Sequence, residues 1–228
     1  MVGIQSGWTL SACEVFLDFD NTMTSCDVLD AIIRHFATDR SWELFEADWQ
    51  AGRIGSRECL EGQLRSVRVT KTVLAQYLAS VALDPHAASL LALLRRHGVE
   101  PVILTDNFSF IVEQVLQRHG IRDVRVVANR LRFSGNRLHP SFPYQDERCA
   151  RGCGHCKRSH LLESHARGRT AVYVGDGRSD LCPAEEADVV FAKGHLLQAL
   201  RASGRPHLAF HDLGDVVEEL TARGAPCL

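Results

Sequence analysis

Two carboxylates stand two residues apart where an apolar run ends, in Val15-Phe16-Leu17-Asp18-Phe19-Asp20-Asn21-Thr22. In an extended strand, residues i and i+2 point to one side. A turn just beyond the strand end lets both acids face one crevice. One acid can then attack as a nucleophile while the other manages a proton. Like charges so close need a cation, and hard carboxylate oxygens suit Mg²⁺. Taken alone, Asp18 and Asp20 read equally well as a solvated acidic turn. A second acidic site shifts that balance. Val172-Tyr173-Val174-Gly175-Asp176-Gly177-Arg178-Ser179-Asp180 is again an apolar run ending in Gly and Asp. Gly175 and Gly177 permit a tight strand-to-loop turn, and Asp176 and Asp180 can complete an oxygen cage. Between the two lies a third apolar run, Pro101-Val102-Ile103-Leu104-Thr105-Asp106-Asn107. The Thr105 hydroxyl and the N–H groups after it suit a phosphate oxygen. Lys157, ahead of the second acidic motif, can supply a positive charge.

The elements that must position these groups are legible as short apolar runs: Glu14–Phe19, Pro101–Thr105, Val124–Ala128, Thr170–Gly175, Asp188–Ala192 and Leu208–Phe210. Continuous runs of this kind suit parallel strands buried on both faces. Helical spacing fills the intervals, as in Leu90, Leu91, Leu93 and Leu94, then Ile111, Val115 and Leu116, and late in the chain Leu196 with Leu200 and Val216 with Leu220. Alternating strands and helices predict an α/β fold with a doubly wound parallel sheet, which binds ligands at the carboxyl ends of its strands. The interval from Asp20 to Thr105 is too long for one crossover helix. Its stripes are helical: Leu29, Ile32, Ile33 and Phe36, then Leu60, Leu64 and Val67, then Leu74, Tyr77, Leu78 and Val81. We read 27–83 as a small helical cap inserted into a core formed by 1–26 and 84–228. The alternative is that these helices cover one sheet face. Arg130–His139 reads as a hairpin turning at Ser134-Gly135-Asn136, and Pro140–Pro143 as a loop.

Composition bounds the function classes. A chain of 228 residues can bury one core and carry a smaller unit. A formal net charge of −2 gives no electrostatic case for nucleic acid or an anionic membrane. No apolar run approaches the roughly 20 residues of a membrane helix. Met1-Val2-Gly3-Ile4-Gln5 has neither a basic region nor a long apolar stretch, so a cytoplasmic protein is expected. Five of the eight cysteines, Cys13, Cys26, Cys59, Cys182 and Cys227, are scattered and read as small buried hydrophobes. Oligomeric state is not legible.

The residues singled out, in this order, resemble the four motifs of the haloacid-dehalogenase superfamily of phosphatases: Asp18-Phe-Asp20-Asn-Thr22, Thr105, Lys157 and Gly175-Asp176-Gly-Arg-Ser-Asp180. The resemblance spans essentially the whole chain and lies nearest the phosphoserine-phosphatase-like branch. The Cys-rich stretch before Lys157 is similar to that of the methionine-salvage phosphatases. The resemblance implies a Rossmann-like core with a cap inserted directly after the first motif. It implies Asp18 as a nucleophile that forms an aspartyl-phosphate, and Asp20 as the acid and then the base. Mg²⁺ would be held by Asp18, the backbone carbonyl of Asp20 and Asp176, with Asp180 orienting metal-bound water. Thr105 and Lys157 would bind the transferring phosphoryl group. The superfamily's ATP-driven pumps carry Thr where this chain has Asp20, so an acid there implies a hydrolase. Asp27 falls where phosphoserine phosphatases place an acid that pairs with the substrate amine, and Arg65 near their carboxylate-binding Arg. Each also reads as an exposed helix charge. Thr22 and Asn107 read as site neighbours or as turn chemistry.

Cys149, Cys153 and Cys156 have spacing close to that of a ligand set, with His155 inside it and His139 upstream. With a fourth ligand they would hold a tetrahedral structural Zn²⁺. The alternative is a reduced Gly-rich loop that delivers Lys157. The function expected is a Mg²⁺-dependent phosphomonoesterase acting on a small phosphorylated metabolite, of the methionine-salvage type. The alternatives are a phosphoserine phosphatase and a catalytically idle metal-binding regulatory module. Intact acids at 18, 20, 176 and 180 stand against the last.

Overall fold

Each apolar run becomes a strand, because a sheet covered on both faces excludes water from every side chain along it. The computed structural model describes residues 8–224; the readings made at Met1–Gln5 and at Cys227 lie outside them. Seven strands form one sheet: β1 (Cys13–Leu17), β2 (Val102–Phe108), β3 (Arg125–Ser134), β4 (Arg137–Ser141), β5 (Thr170–Gly175), β6 (Val189–Ala192) and β7 (Leu208–Ala209). Their spatial order is β4-β3-β2-β1-β5-β6-β7, parallel except for the β3–β4 hairpin. The chain steps outward from β1 to β4, then returns to β1's other side with β5, where Leu17 pairs with Val174. That reversal opens a crevice at the carboxyl ends of β1, β2 and β5.

Helices cover both faces. α5 (Ala87–Arg96), α6 (Ser109–Arg118) and α10 (Leu213–Gly224) pack Leu90, Leu94, Ile111, Val115, Val216 and Leu220 against Val15 and Leu17. α7 (Lys157–Ala166), α8 (Leu181–Glu186) and α9 (Gly194–Ser203) pack Leu161, Ala184, Leu196 and Leu200 against Phe16 and Tyr173. Val15 and Leu17 serve one layer and Phe16 the other, which is the period of two expected of a strand.

The long interval holds α1 (Val28–Phe36), α2 (Trp42–Gln50), α3 (Ser56–Leu64) and α4 (Lys71–Leu78). Asp27 caps α1, its Oδ1 accepting the Asp30 N–H at 2.8 Å, and Thr70 caps α4 by accepting from Val73. The expected stripes account for α1, α3 and α4. α2 was not anticipated, because Trp42 is its one buried residue and it presents little apolar stripe. The two connections to the core run side by side: Thr24 bridges Leu83, and the Ser25 N–H donates to the Ala82 carbonyl.

Two local readings are corrected. Ser134 pairs with Arg137, so the hairpin turns on Gly135-Asn136 alone, with Gly135 at φ 59°. Pro140 lies in β4 opposite Leu131 rather than in a loop; an edge strand tolerates a residue without an N–H. Of the scattered cysteines, Cys13 and Cys59 are buried, whereas Cys26 is exposed and Cys182 half-buried.

Candidate active site

β1 delivers Asp18 to the crevice, where its N–H donates to the Val174 carbonyl at 2.9 Å and ties β1 to β5. Asn21 then adopts φ 53°, a left-handed turn that Asn tolerates, and this reverses the chain toward α1. Thr22 donates its hydroxyl to Asp176 Oδ1 at 3.2 Å, joining the first acidic motif to the last. Lys157, the first residue of α7, is buried, and its ammonium bonds Asp18 Oδ1 at 2.6 Å and Asp180 Oδ1 at 2.8 Å.

Asp180 is saturated with donors. Oδ1 accepts from the Tyr173 hydroxyl at 2.6 Å as well as from Lys157, and Oδ2 accepts the N–H groups of Asp176 at 3.0 Å and Gly177 at 2.9 Å. A Cβ at Gly175 would stand 2.6 Å from that Oδ2, so glycine is required there by close approach. Burial pushes the Asp180 carboxyl up, but Lys157 and the surrounding donors outweigh it and hold the group below the ordinary range. Lys157 and Asp180 thus form the balanced pair. Asp18 shares the same ammonium as a second carboxylate, and burial followed by Asp180's charge pushes it up. Burial, then Asp180, pushes Asp176 to about 7.

Asp20 faces the other way, toward α1. Its Oδ1 accepts the Val28 N–H at 2.8 Å, and Asn107 Nδ2 reaches both carboxylate oxygens, at 3.1 and 2.9 Å. Burial, then Asp27, pushes its pKa up to about 8 against those hydrogen bonds. Asn107, left open between site and turn, is a direct partner of the second acid. Thr105 is buried within β2, just after its regular pairing with β3 stops at Leu104, and its hydroxyl accepts the Asn107 N–H at 3.1 Å.

A cavity of about 290 Å³ opens from these groups toward the inserted helices. Asp18, Asp20, Thr105 and Asp176 line its floor, and Asp27, Leu29, Ile33, Glu46, Trp49 and Gln63 line its far side. Asp27 therefore reaches the site while also capping α1. Arg65 does not: it is exposed at the C-terminal cap of α3 and does not line the cavity. Arg34 lines the cavity instead, with its Nε bonded to Asp30 at 2.6 Å. Glu46, Trp49 and Tyr173 escaped the sequence reading. The signal available for Tyr173 was a phenol in a buried run, whose hydroxyl must find a partner.

The cysteine loop leads into Lys157 and packs against α3. Among the described residues, the one group of His, Cys, Asp or Glu whose ligand atoms lie within 4.8 Å of one another is Asp18, Asp176 and Asp180. Cys149, Cys153 and Cys156 do not converge in this way. Burial pushes the Cys153 thiol up; at Cys149 backbone N–H groups from 151 to 153 outweigh burial and hold the thiol down. The loop braces α3: the Gly152 carbonyl accepts the Arg57 N–H, and the Gly154 N–H donates to Ser56 Oγ at 3.0 Å. Gly55 permits the contact, since a Cβ there would overlap the Gly152 carbonyl. Cys156 is the residue immediately before α7.

Residues 15–185 match the family of haloacid dehalogenase-like hydrolases. The chain is 31% identical over 210 residues to a 2-hydroxy-3-keto-5-methylthiopentenyl-1-phosphate phosphatase of Geobacillus kaustophilus, covering 90% of this chain and 94% of that relative. It is 28% identical over 209 residues to the protein of the same description from Brevibacillus brevis, again covering 90% and 94%. A solved structure described as a phospho-aspartyl intermediate analogue of phosphoserine phosphatase superposes with a TM-score of 0.70 at 15% identity, covering 91% of this chain and 98% of that one. A likeness at that identity speaks for the fold.

Proposed function

The chain belongs to the haloacid dehalogenase-like hydrolases and is a phosphatase of that family, and from this premise we propose that Asp18 and Asp20 divide its chemistry between a nucleophile and a proton carrier. Asp18 attacks the phosphorus of a phosphate monoester and forms an acyl phosphate while the alkoxide departs. Asp20 gives that alkoxide its proton. A water then attacks phosphorus, returns a proton to Asp20 and releases inorganic phosphate with Asp18 restored. Lys157 and Thr105 hold the phosphoryl oxygens. The observation that carries this division is the geometric contrast between the acids: Asp18 lies beside the Lys157 ammonium at 2.6 Å, whereas Asp20 is turned away from it against Asn107 and the Val28 N–H.

Phosphatases of this family generally use Mg²⁺, and the donor set fits it: three carboxylates converge within 4.8 Å around a single ammonium, leaving negative charge in excess. Asp18, Asp176 and the backbone carbonyl of Asp20 would hold the ion, with Asp180 positioning Lys157 and the Asp176 backbone. When bound, the ion offsets the charge of the phosphate dianion. Residues 27–83 act as the cap that encloses the substrate, supported by the paired connections at Thr24 and Leu83.

The substrate is a small phosphorylated metabolite of the methionine-salvage type. A cavity of about 290 Å³ suits a small molecule. Leu29, Ile33 and Trp49 offer an apolar wall for a thioether tail, and Asp27 and Glu46 offer acceptors for hydroxyls. Phosphoserine is the second reading, favoured by Asp27 near the site. Against it, Arg65 lies outside the cavity and Arg34 is committed to Asp30. The test compares hydrolysis of the methylthio-ketose phosphate, phosphoserine and p-nitrophenyl phosphate with Mg²⁺ and with chelator. The expected order places the methylthio-ketose phosphate first. Preference for phosphoserine would reverse the substrate reading, and no turnover of any ester would refute the chemistry.

A further inference from the structure

Between Leu104 and Phe108 the pairing of β2 with β3 loses register, since Leu104 stands opposite Val127 but Phe108 opposite Asn129. The excess chain lies at Thr105, Asp106 and Asn107, all of which line the cavity. A bulge disrupts the ladder, so side chains must help to fix the shape of the segment. Asn129 Nδ2 donates to the Asp106 carbonyl at 2.6 Å. His155 meets the Thr105 carbonyl through Nδ1 at 2.8 Å.

That second contact sets a tautomer. A carbonyl only accepts, so Nδ1 of His155 carries the proton, and in a neutral ring Nε2 is then an acceptor. Nε2 of His160 stands 3.0 Å from Nε2 of His155 and must donate to it. Tyr144 stacks on His155 with ring centroids 4.9 Å apart and holds the ring plane. Burial keeps both imidazoles neutral, pushing His155 to about 3 and His160 downward. The segment so held places Asn107 against both oxygens of Asp20.

We propose that His155, held in one tautomer by the Thr105 carbonyl and accepting from His160, is a positioning residue that sets Thr105 at the phosphoryl group and Asn107 at the carboxyl of Asp20. The inference rests on the reading of Asp20 as proton donor to the leaving group. A displaced Asn107 lets Asp20 drift, and the loss grows with the leaving group's need for a proton. Phenyl phosphate has the poorer leaving group and p-nitrophenyl phosphate the better one, and kcat/KM reports the steps through the first transfer of phosphoryl. The amide of glutamine reaches the place of Nε2 and abandons that of Nδ1, whereas the amide of asparagine can occupy the place of Nδ1.

His155→Gln should therefore lose about tenfold more kcat/KM on phenyl than on p-nitrophenyl phosphate. His155→Asn should stay within about threefold of the native enzyme on both esters. Equal losses on both esters in His155→Gln, or a His155→Asn as impaired as His155→Gln, overturn the inference. If His155→Gln does not fold, His160→Leu is put through the same pair of esters, and equal losses there overturn it likewise. Imidazole ¹⁵N shifts of the native protein give a check that needs no variant. They should place the protons on Nδ1 of His155 and Nε2 of His160, and the opposite tautomers refute the relay. Asp20→Asn separates the two levels of the argument. Without a selective loss on phenyl phosphate in Asp20→Asn, the proton-donor reading fails and takes the inference with it. A selective loss there but not in His155→Gln overturns the inference alone.

Discussion

Replacing Lys157 with methionine keeps an unbranched apolar stem and removes the charge. The ammonium meets Asp18 at 2.6 Å and Asp180 at 2.8 Å, with the hydroxyl oxygens of Tyr173 at 3.3 Å and Ser179 at 3.4 Å. Asp180 tolerates the loss, because Tyr173 and the N–H groups of Asp176 and Gly177 remain. Asp18 loses its cation while buried. Removing one partner of a buried pair costs about 3–5 kcal/mol. The lower end applies here, since Asp180 keeps its donors and Asp18 can take up a proton. We expect a loss of about 3 kcal/mol in metal-free protein at about pH 7. The pH dependence has a definite sign. Asp18 already lies above the ordinary carboxylate range, through burial and then Asp180, and losing Lys157 raises it further. A carboxyl raised in the folded state stabilises fully below its unfolded value of about 4 and loses that contribution as pH climbs toward its folded value. The deficit of Lys157→Met should thus be smallest near about pH 4 and widen toward neutrality, and Mg²⁺ should narrow it by supplying charge. kcat/KM should fall about 10²–10³-fold. Urea unfolding at both pH values, in chelator and then in Mg²⁺, reads the stability. A neutral-pH deficit below about 1 kcal/mol, or one that does not change with pH, would refute the charge-sharing argument.

Asp18→Asn should abolish turnover in a protein that unfolds no more readily than the native one, because an amide cannot form the acyl phosphate and one charge leaves a crowded cluster; substantial activity in a clean folded preparation ends the covalent scheme. Activity should vanish on chelation and return with Mg²⁺ but poorly with Ca²⁺, and full activity of metal-free enzyme contradicts the role given to the acids. Because Asp176 must be deprotonated to bind the ion and lies at about 7, Mg²⁺ affinity measured by calorimetry should weaken as pH falls below neutrality; affinity flat across that range would remove Asp176 from the ligand set. Arg65→Ala should leave the ranking of substrates unchanged, whereas Trp49→Ala should alter it while holding p-nitrophenyl phosphate hydrolysis within about tenfold, read as kcat/KM on each ester; a changed ranking in Arg65→Ala restores that residue to the site.

The acids at the strand ends were legible because a strand buried on both faces reads as an unbroken apolar run, and its end shows as the first Gly or Asp. Asp18 and Asp176 follow from that rule, and the stripes of α1 and α4 from the helical period. α2 was illegible because it buries Trp42 alone and turns Glu46 and Trp49 to the cavity, which leaves little apolar stripe. Pro140 misled because a chain does not announce which of its strands lies at an edge. The sequence by itself therefore determined the order of the elements and which chemical groups stand at their ends. Only the tertiary structure decided the partners. Lys157 meets Asp18 across 139 residues and Asn107 meets Asp20 across 87, while Arg65, in the same inserted segment as Asp27, is left outside. Periodicity reports only neighbours within a strand or a helical turn. Contacts at long separation are fixed by how whole elements pack, and that is settled when the sheet closes.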